Sequence, residues 1–199
     1  MKTPVKLARA GLLLTLALAL TMCAKKEEPK AEAGMSAGQP AAETMAEGDR
    51  GTASASFGAL NVSIDYGRPQ LKGRDMLAQA TDGMVWRMGM NEATEIKTDA
   101  NLHFGETVVP GGSYSLWMKK VTGEQWELIF NKKTGIWGHD YPAGEDLAAI
   151  PMTMSVNPDS VERFTIAVVA NNETDGTLKA MWGTSIMSVD FKVSAPAAQ

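Results

Sequence analysis

The chain has few of the residues on which familiar catalytic and metal sites depend. Its 199 residues include one cysteine and two histidines. A single cysteine excludes an intrachain disulfide and a cysteine-rich metal site. The sequence also contains no G-x-S-x-G elbow, no H-E-x-x-H pair, no P-loop and no dinucleotide fingerprint. The acidic segment around His139 matches no calcium loop, so we expect neither a metal nor a cofactor.

Basic residues are outnumbered by acidic ones. The chain carries 19 lysines and arginines against 23 aspartates and glutamates, which gives a net charge of −4 at pH 7. Residues 1–22 contribute three basic residues and no acidic one, so their removal would bring the net charge to −7. Nucleic-acid binding needs a basic surface. We therefore expect no nucleic acid among the partners of this protein.

Only the amino terminus has a long apolar run. Three basic residues precede "AGLLLTLALALTM", which is shorter than the roughly 20 apolar residues that cross a bilayer and has the flanks of a cleaved export signal. Cys23 follows at once, and its position resembles the bacterial lipobox, although Met22 replaces the small residue usual there. The resemblance implies that residues 1–22 are a signal peptide and that Cys23 is lipidated.

Lipidation of Cys23 would make the lipid bilayer a partner of the protein. More than one acyl chain at the new amino terminus gives stable attachment, so we expect a bacterial envelope protein that faces the periplasm or the cell surface. Ala24 and Lys25 lack the aspartate that retains some lipoproteins in the inner membrane. This difference favours the outer membrane.

The composition divides the rest of the chain into a tether, one domain and a tail. After Cys23, the residues up to position 50 contain no aromatic and no branched aliphatic side chain. Such a segment cannot bury enough apolar surface to offset the entropy of ordering it. We therefore predict a disordered tether over residues 23–50, a single domain over residues 51–194 and a disordered tail over residues 195–199.

The predicted domain alternates apolar and polar residues, as half-buried strands do. The period of two recurs in "LNVSIDY", "SYSLWMK", "QWELIF" and "SIMSVDFKV", and turn signals such as "NNETDG" fall between these runs. The glycine pair in "VPGGS" predicts a tight hairpin. No window of a dozen residues shows a helical stripe. The pattern therefore predicts an all-β fold, an antiparallel β-sandwich or jelly roll of about ten strands in a single domain.

One stretch, "VWRMGMNEATEI" over residues 85–96, departs from this alternation because Arg87, Asn91 and Glu92 interrupt an apolar run. Gly89 predicts a bulge that turns these three side chains away from the core. Arg68 and Arg74 precede the stretch closely. Arginine presents a fixed fork of donors that matches a carboxylate, a phosphate or a sugar diol.

These observations leave several functions open. We favour a binding module for a small anionic or polyhydroxyl ligand held by a set of five residues, namely Arg68, Arg74, Arg87, Asn91 and Glu92. An architectural alternative pairs Arg87 with Glu92 or Asp65. An enzyme alternative makes Glu92 or Asp65 the general acid/base of a hydrolase-like reaction beside Arg87. The third alternative is a structural or protein-interaction lipoprotein that uses a sheet edge or an apolar patch.

Four segments together carry a family resemblance. "IDYGRPQLKGRDM", "VWRMGMNEATEI", "VPGGSYSLW" and "WELIFNKKTGIWG" occur in this order and resemble the bacterial "domain of unknown function 2911" family over roughly residues 52–193. This chain has "VWRMGMNEAT" and "PGGSYSL" where the family typically has "VWRTGANEAT" and "PAGTYSL". The resemblance implies a domain and a motif, and it implies no reaction.

Overall fold

A computed structural model of the protein describes residues 49–196. The predicted signal peptide, the proposed lipidation residue Cys23, most of the predicted tether and residues 197–199 of the predicted tail lie outside the described residues. Within residues 49–196 all regular structure is β-strand, and no helix there is long and apolar enough to cross a membrane. The prediction of an all-β fold with about ten strands is confirmed.

The strands form one antiparallel system in the order β1-β2-β4-β7-β8-β9-β10-β5-β6, with β3 paired to β7. Their bounds are β1 (Arg50–Phe57), β2 (Leu60–Gly67), β3 (Val85–Trp86), β4 (Thr94–Thr98), β5 (Asn101–Phe104), β6 (Thr107–Val109), β7 (Gly112–Thr122), β8 (Gln125–Asn131), β9 (Asp146–Ala170) and β10 (Asp175–Ser194).

The long strand β9 belongs to two layers. Its first part, up to Met152, pairs with β8, and the part from Thr153 onward pairs with β10. Aromatic contacts join the layers across a common core: Phe57 lies 5.6 Å from Phe191 and Phe104 lies 5.5 Å from Phe130, centroid to centroid. The sheet therefore folds over itself as a sandwich, which is the arrangement that lets antiparallel strands bury one face.

The predicted alternation is present in β2. Val62, Ile64 and Tyr66 are at most 1% exposed, whereas Asn61 and Asp65 on the opposite face are exposed. Burial of three large apolar side chains is worth about 1.5–3 kcal/mol each. The same period is the reason that β2 is held in one register, because a shift by one residue would expose all three.

A second, smaller apolar cluster lies on the outer face of β7 and β8. Ala93, Trp117 and Ile129 are buried there, and Ile136 and Tyr141 from the β8–β9 connection pack against them. The Tyr141 ring meets Trp117 edge to face at 5.1 Å, and its hydroxyl donates a hydrogen bond to Asp146. The β8–β9 connection is thus fixed to the sheet that it covers.

The environment of Tyr141 predicts a stability change in alkali. Burial, together with the hydrogen bond to Asp146 and its charge, raises the pKa of Tyr141 well above its usual value of 10.0. Above pH 10 the unfolded chain loses the tyrosine proton while the folded chain keeps it, so this contribution to the free energy of unfolding falls as pH rises. Tyr141→Phe should cost about 1 kcal/mol at neutral pH.

The difference between the wild type and Tyr141→Phe should narrow when urea melts at about pH 8 are compared with melts at about pH 11. Tyr114, whose pKa burial also raises, is present in both proteins and serves as an internal control. A difference that stays constant over this interval would show that Tyr141 ionises equally in the folded and unfolded chains.

Candidate functional site

The end of β2 and the segment after β3 lie backbone against backbone. A Cβ atom on Gly67 would lie 2.6 Å from the Met90 backbone nitrogen and closer still to the Met90 carbonyl oxygen. A Cβ on Gly89 would lie 2.9 Å from the Gly67 carbonyl oxygen. Both glycines are therefore needed for close approach of the two segments. Gly89 has this role and does not interrupt a longer strand, since β3 already ends at Trp86.

Left-handed backbone marks the two segments that meet here. Among residues 49–196 the non-glycine residues with positive φ are Lys72, Met88 and Asn91, at 49°, 51° and 62°. Lys72 and Gly73 form a turn that the Arg74 amide closes on the Leu71 carbonyl at 3.0 Å. Asparagine tolerates this conformation, but for methionine it is strained, and such strain is concentrated at functional sites.

Two neighbouring cavities open beside these segments. The first, which we call the aromatic chamber, has a volume of about 230 Å³ and is lined by seven apolar side chains: Pro69, Met76, Leu77, Met84, Trp86, Met90 and Trp182. Its polar side chains are Gln70, Arg74 and Arg87. The second, the basic cleft, has a volume of about 320 Å³, and its charged side chains are Asp49, Arg68, Lys72, Arg74 and Arg163.

The two cavities share part of their walls. Pro69, Gln70, Arg74 and Met90 line both of them, so the aromatic chamber and the basic cleft adjoin at these residues. Arg74 lies at the junction and is exposed. A charged group bound at Arg74 would therefore be in reach of both cavities, which makes this arginine the centre of the candidate site.

The arginines of the site differ in their partners. Arg68 is 7% exposed, and its Nη2 donates to the Thr165 hydroxyl at 3.4 Å. Arg87 is half-buried, and its Nε donates to the Gly89 carbonyl at 3.4 Å. Within residues 49–196 no carboxylate lies within 4.0 Å of the guanidinium nitrogens of Arg74, Arg87 or Arg163. Three guanidinium groups therefore line the cavities without an ion-pair partner in the described part of the chain.

Asn91 and Glu92 lie outside both cavities. The carbonyl of Asn91 accepts from the Gly138 amide at 2.9 Å, and Glu92 forms a strand-like bridge with Trp137. The Glu92 carboxylate is paired with Arg50, 3.0 Å away, and Arg50 also bonds the Asp65 carboxylate. The structure thus brings Arg68, Arg74 and Arg87 to the candidate site, whereas Asn91 and Glu92, between β3 and β4, lie against the neighbouring β8–β9 connection.

Sequence reasoning missed several residues of the site. Arg163 reaches the basic cleft because residues 69–71 run along β9, where Gln70 bridges to Arg163 and the Phe164 amide donates to the Pro69 carbonyl at 2.9 Å. Trp182 reaches the aromatic chamber from β10. No local pattern around these residues signals the site, since only the pairing of distant segments brings them there.

The surroundings of Arg87 predict that its removal costs little stability. Arg87 has no carboxylate partner within 4.0 Å among the described residues. Its side chain packs against Gly138, since a Cβ atom built on Gly138 would lie 3.0 Å from the Cβ atom of Arg87. We expect Arg87→Ala to lower the free energy of unfolding by about 1 kcal/mol or less in denaturant melts, the scale of an ordinary substitution. A loss above roughly 3 kcal/mol would reveal a stranded buried charge and contradict this account.

Both histidines lie outside the aromatic chamber and the basic cleft. His103 Nε2 lies 2.8 Å from the Ser194 hydroxyl, and His139 lies 3.7 Å from the Asp140 carboxylate on an exposed loop. Across residues 49–196 no three histidine, cysteine or acidic side chains are grouped as a metal site requires. Trp137 is 49% exposed and lies on the β8–β9 connection beside Glu92.

The fold and the site define an antiparallel β-sandwich with a cationic double cavity at the junction of β2, β3 and β9. The chain belongs to a family described as "Protein of unknown function (DUF2911)", whose model matches residues 49–191. This match confirms the family resemblance of the four segments. Comparisons with curated proteins and with solved structures gave no match.

Proposed function

We propose that the domain binds a small anionic ligand in the basic cleft and the adjoining aromatic chamber. The observation that carries the proposal is the set of guanidinium groups of Arg74, Arg87 and Arg163, which line these cavities with no carboxylate within 4.0 Å in the described part of the chain. Clustered cations repel one another, and a bound anion relieves that repulsion with charge-assisted hydrogen bonds.

An anion fits these cavities better than a polyhydroxyl ligand does. Sugar hydroxyls are bound by a balance of donors and acceptors, and guanidinium groups only donate. Asp49 is the single carboxylate among the lining residues of the two cavities, and Gln70 is the single amide. The excess of donors therefore favours a carboxylate or a phosphate.

Binding also fits better than general acid/base catalysis. Asp65 and Glu92, the carboxylates that an enzyme would use, both bond Arg50 and are exposed. Neither lines the aromatic chamber or the basic cleft. A general base must lie within hydrogen-bond reach of the proton that it removes, and these carboxylates lie away from the proposed ligand.

A ligand screen tests the proposal. The protein should be melted thermally in inorganic phosphate, in pyrophosphate, in acetate and in neutral sugars, with sodium chloride added to equal ionic strength. A ligand at about 100 times its dissociation constant stabilises the folded state by about 2.7 kcal/mol. We expect stabilisation by at least one anion at matched ionic strength and none by the sugars. Equal melting temperatures in all solutions would refute anion binding.

We further propose that this binding domain is held at a bacterial envelope membrane, with outer-membrane residence favoured. Support comes from the lipobox-like position of Cys23 after the apolar run. Cys23→Ser should move the protein from the membrane fraction to the soluble envelope fraction, because acyl chains can no longer attach. Met22→Ala, which keeps the cysteine, serves as the control and should remain in the membrane fraction. An unchanged distribution of Cys23→Ser, with no lipid mass on the wild type, would contradict the tether.

A further inference from the structure

The aromatic chamber is more apolar than the binding of a bare inorganic ion requires. Trp86 and Trp182 stack with ring centroids 5.4 Å apart and planes at 10°, and both rings line the chamber. The Phe164 ring also packs against the Trp86 ring, edge to face at 4.9 Å. These contacts fix the tryptophan surfaces in place before any ligand enters. A preformed apolar surface of this kind binds an apolar group at little cost in ordering.

The methionines of the chamber add to this character. Met76, Met84 and Met90 line it together with Leu77, and Met76 is 40% exposed at the mouth. Methionine side chains are flexible and polarisable, and they make favourable contacts with aromatic rings. Arg74 and Arg87 line the same chamber. The chamber is therefore a largely apolar space that also has two cations in its lining.

From this arrangement we infer that the ligand is an amphiphilic organic anion. Its carboxylate or phosphate is held by Arg74 and Arg87, and its aromatic or short aliphatic body fills the aromatic chamber. The volume of about 230 Å³ suits a body of one ring or a short chain. This inference rests on the proposed anion binding and adds to it the chemical class of the ligand.

Calorimetric titration of the full protein with matched probes tests this class. Phenyl phosphate carries the ring and the ionic head, inorganic phosphate carries the head alone, and phenol carries the ring alone. Phenylacetate and acetate form the equivalent carboxylate pair. We expect phenyl phosphate or phenylacetate to bind at least tenfold more tightly than the corresponding bare ion, because burial of one ring removes roughly 100 Å² or more of apolar surface from water.

A substitution that fills the aromatic chamber should abolish the preference for aromatic anions over bare ions. Met76→Trp places a bulky side chain at the mouth, and the exposure of Met76 allows the larger side chain without strain in the core. In this variant we expect the tenfold advantage of phenyl phosphate over inorganic phosphate to disappear. Val108→Trp on β6, where Val108 is 44% exposed, is the matched control and should keep the advantage.

These titrations distinguish an error in the ligand class from an error in the proposed anion binding. If the bare ions bind and the aromatic anions bind no more tightly, the amphiphilic class is wrong and anion binding stands. If no anion binds, the proposed function fails, and this inference fails with it. Phenol that binds as tightly as phenyl phosphate would show a neutral apolar site and overturn both. Loss of the advantage in Val108→Trp would also overturn the placement of the ring in the aromatic chamber.

Discussion

Gly67→Ala is expected to lower the free energy of unfolding by about 3 kcal/mol or more. The added Cβ would lie 2.6 Å from the Met90 backbone nitrogen and closer still to the Met90 carbonyl oxygen. Backbone atoms cannot turn aside as the end of a flexible side chain can, so the end of β2 and the segment after β3 must separate. This separation would also open the wall that the aromatic chamber and the basic cleft share at Met90.

The matched control for this substitution is Gly105→Ala. Gly105 has a φ of +60° and no heavy atom within 4 Å of a built Cβ, so its replacement tests backbone strain without a steric clash. That strain is about 1–2 kcal/mol for a residue other than glycine. Urea melts of the two variants and the wild type measure the difference. A cost for Gly67→Ala no greater than that for Gly105→Ala would show that the two segments do not approach as described.

Reversal of two cleft charges is expected to reduce phosphate affinity at least 100-fold. Arg74 and Arg163 both line the basic cleft, and neither has a carboxylate within 4.0 Å in the described chain. A hydrogen bond to a charged group contributes about 1.5–3 kcal/mol, and about 2.8 kcal/mol corresponds to a factor of 100 in affinity. The double variant Arg74→Glu, Arg163→Glu should therefore fold and fail to bind.

A control of equal charge is available on the β8–β9 connection. Lys132 and Lys133 are exposed and line neither of the two cavities, so Lys132→Glu, Lys133→Glu makes the same change in net charge away from the site. Calorimetry with inorganic phosphate should give wild-type affinity for this control. Equal losses in the two double variants would mean that net charge alone attracts the anion, without a specific site.

Much of the fold could be predicted from the sequence because burial of one sheet face imposes a period of two. The alternation in "LNVSIDY" is borne out by the burial of Val62, Ile64 and Tyr66. The turn at Lys72 is also local, since it depends on the φ angles that Lys72 and Gly73 adopt. Features that depend only on residues adjacent in the sequence could thus be predicted from it.

The predicted hairpin at "VPGGS" is wrong. β6 pairs with β5, and β7 pairs with β3, β4 and β8, so the segment connects two layers instead of two paired strands. Neither Gly111 nor Gly112 has a positive φ, and a Cβ on Gly111 would lie 3.2 Å from the Asp99 carbonyl oxygen. The glycines serve close packing there, and a glycine pair in a sequence does not distinguish that use from a tight turn.

The candidate site was predictable only in part. The arginines at positions 68, 74 and 87 are close in sequence and reach adjoining cavities. Arg163 and Trp182 join them through strand pairing over long distances in the chain. Arg50, which the composition assigned to the tether, begins β1 and binds Glu92 and Asp65. Ion-pair partners of this kind depend on the register of β1 against β2, which composition does not specify.

The most direct test of the anion site is a residue-resolved NMR titration of the protein with phenyl phosphate, in which backbone amide and tryptophan indole signals are followed. The account predicts saturable shifts for residues 68–76 and 86–90 and for the Trp182 indole, with the β9–β10 turn at residues 171–174 unchanged. Inorganic phosphate should shift Arg74 and leave the Trp182 indole nearly unaffected. Shifts confined to other surfaces, or shifts that never saturate, would contradict the account.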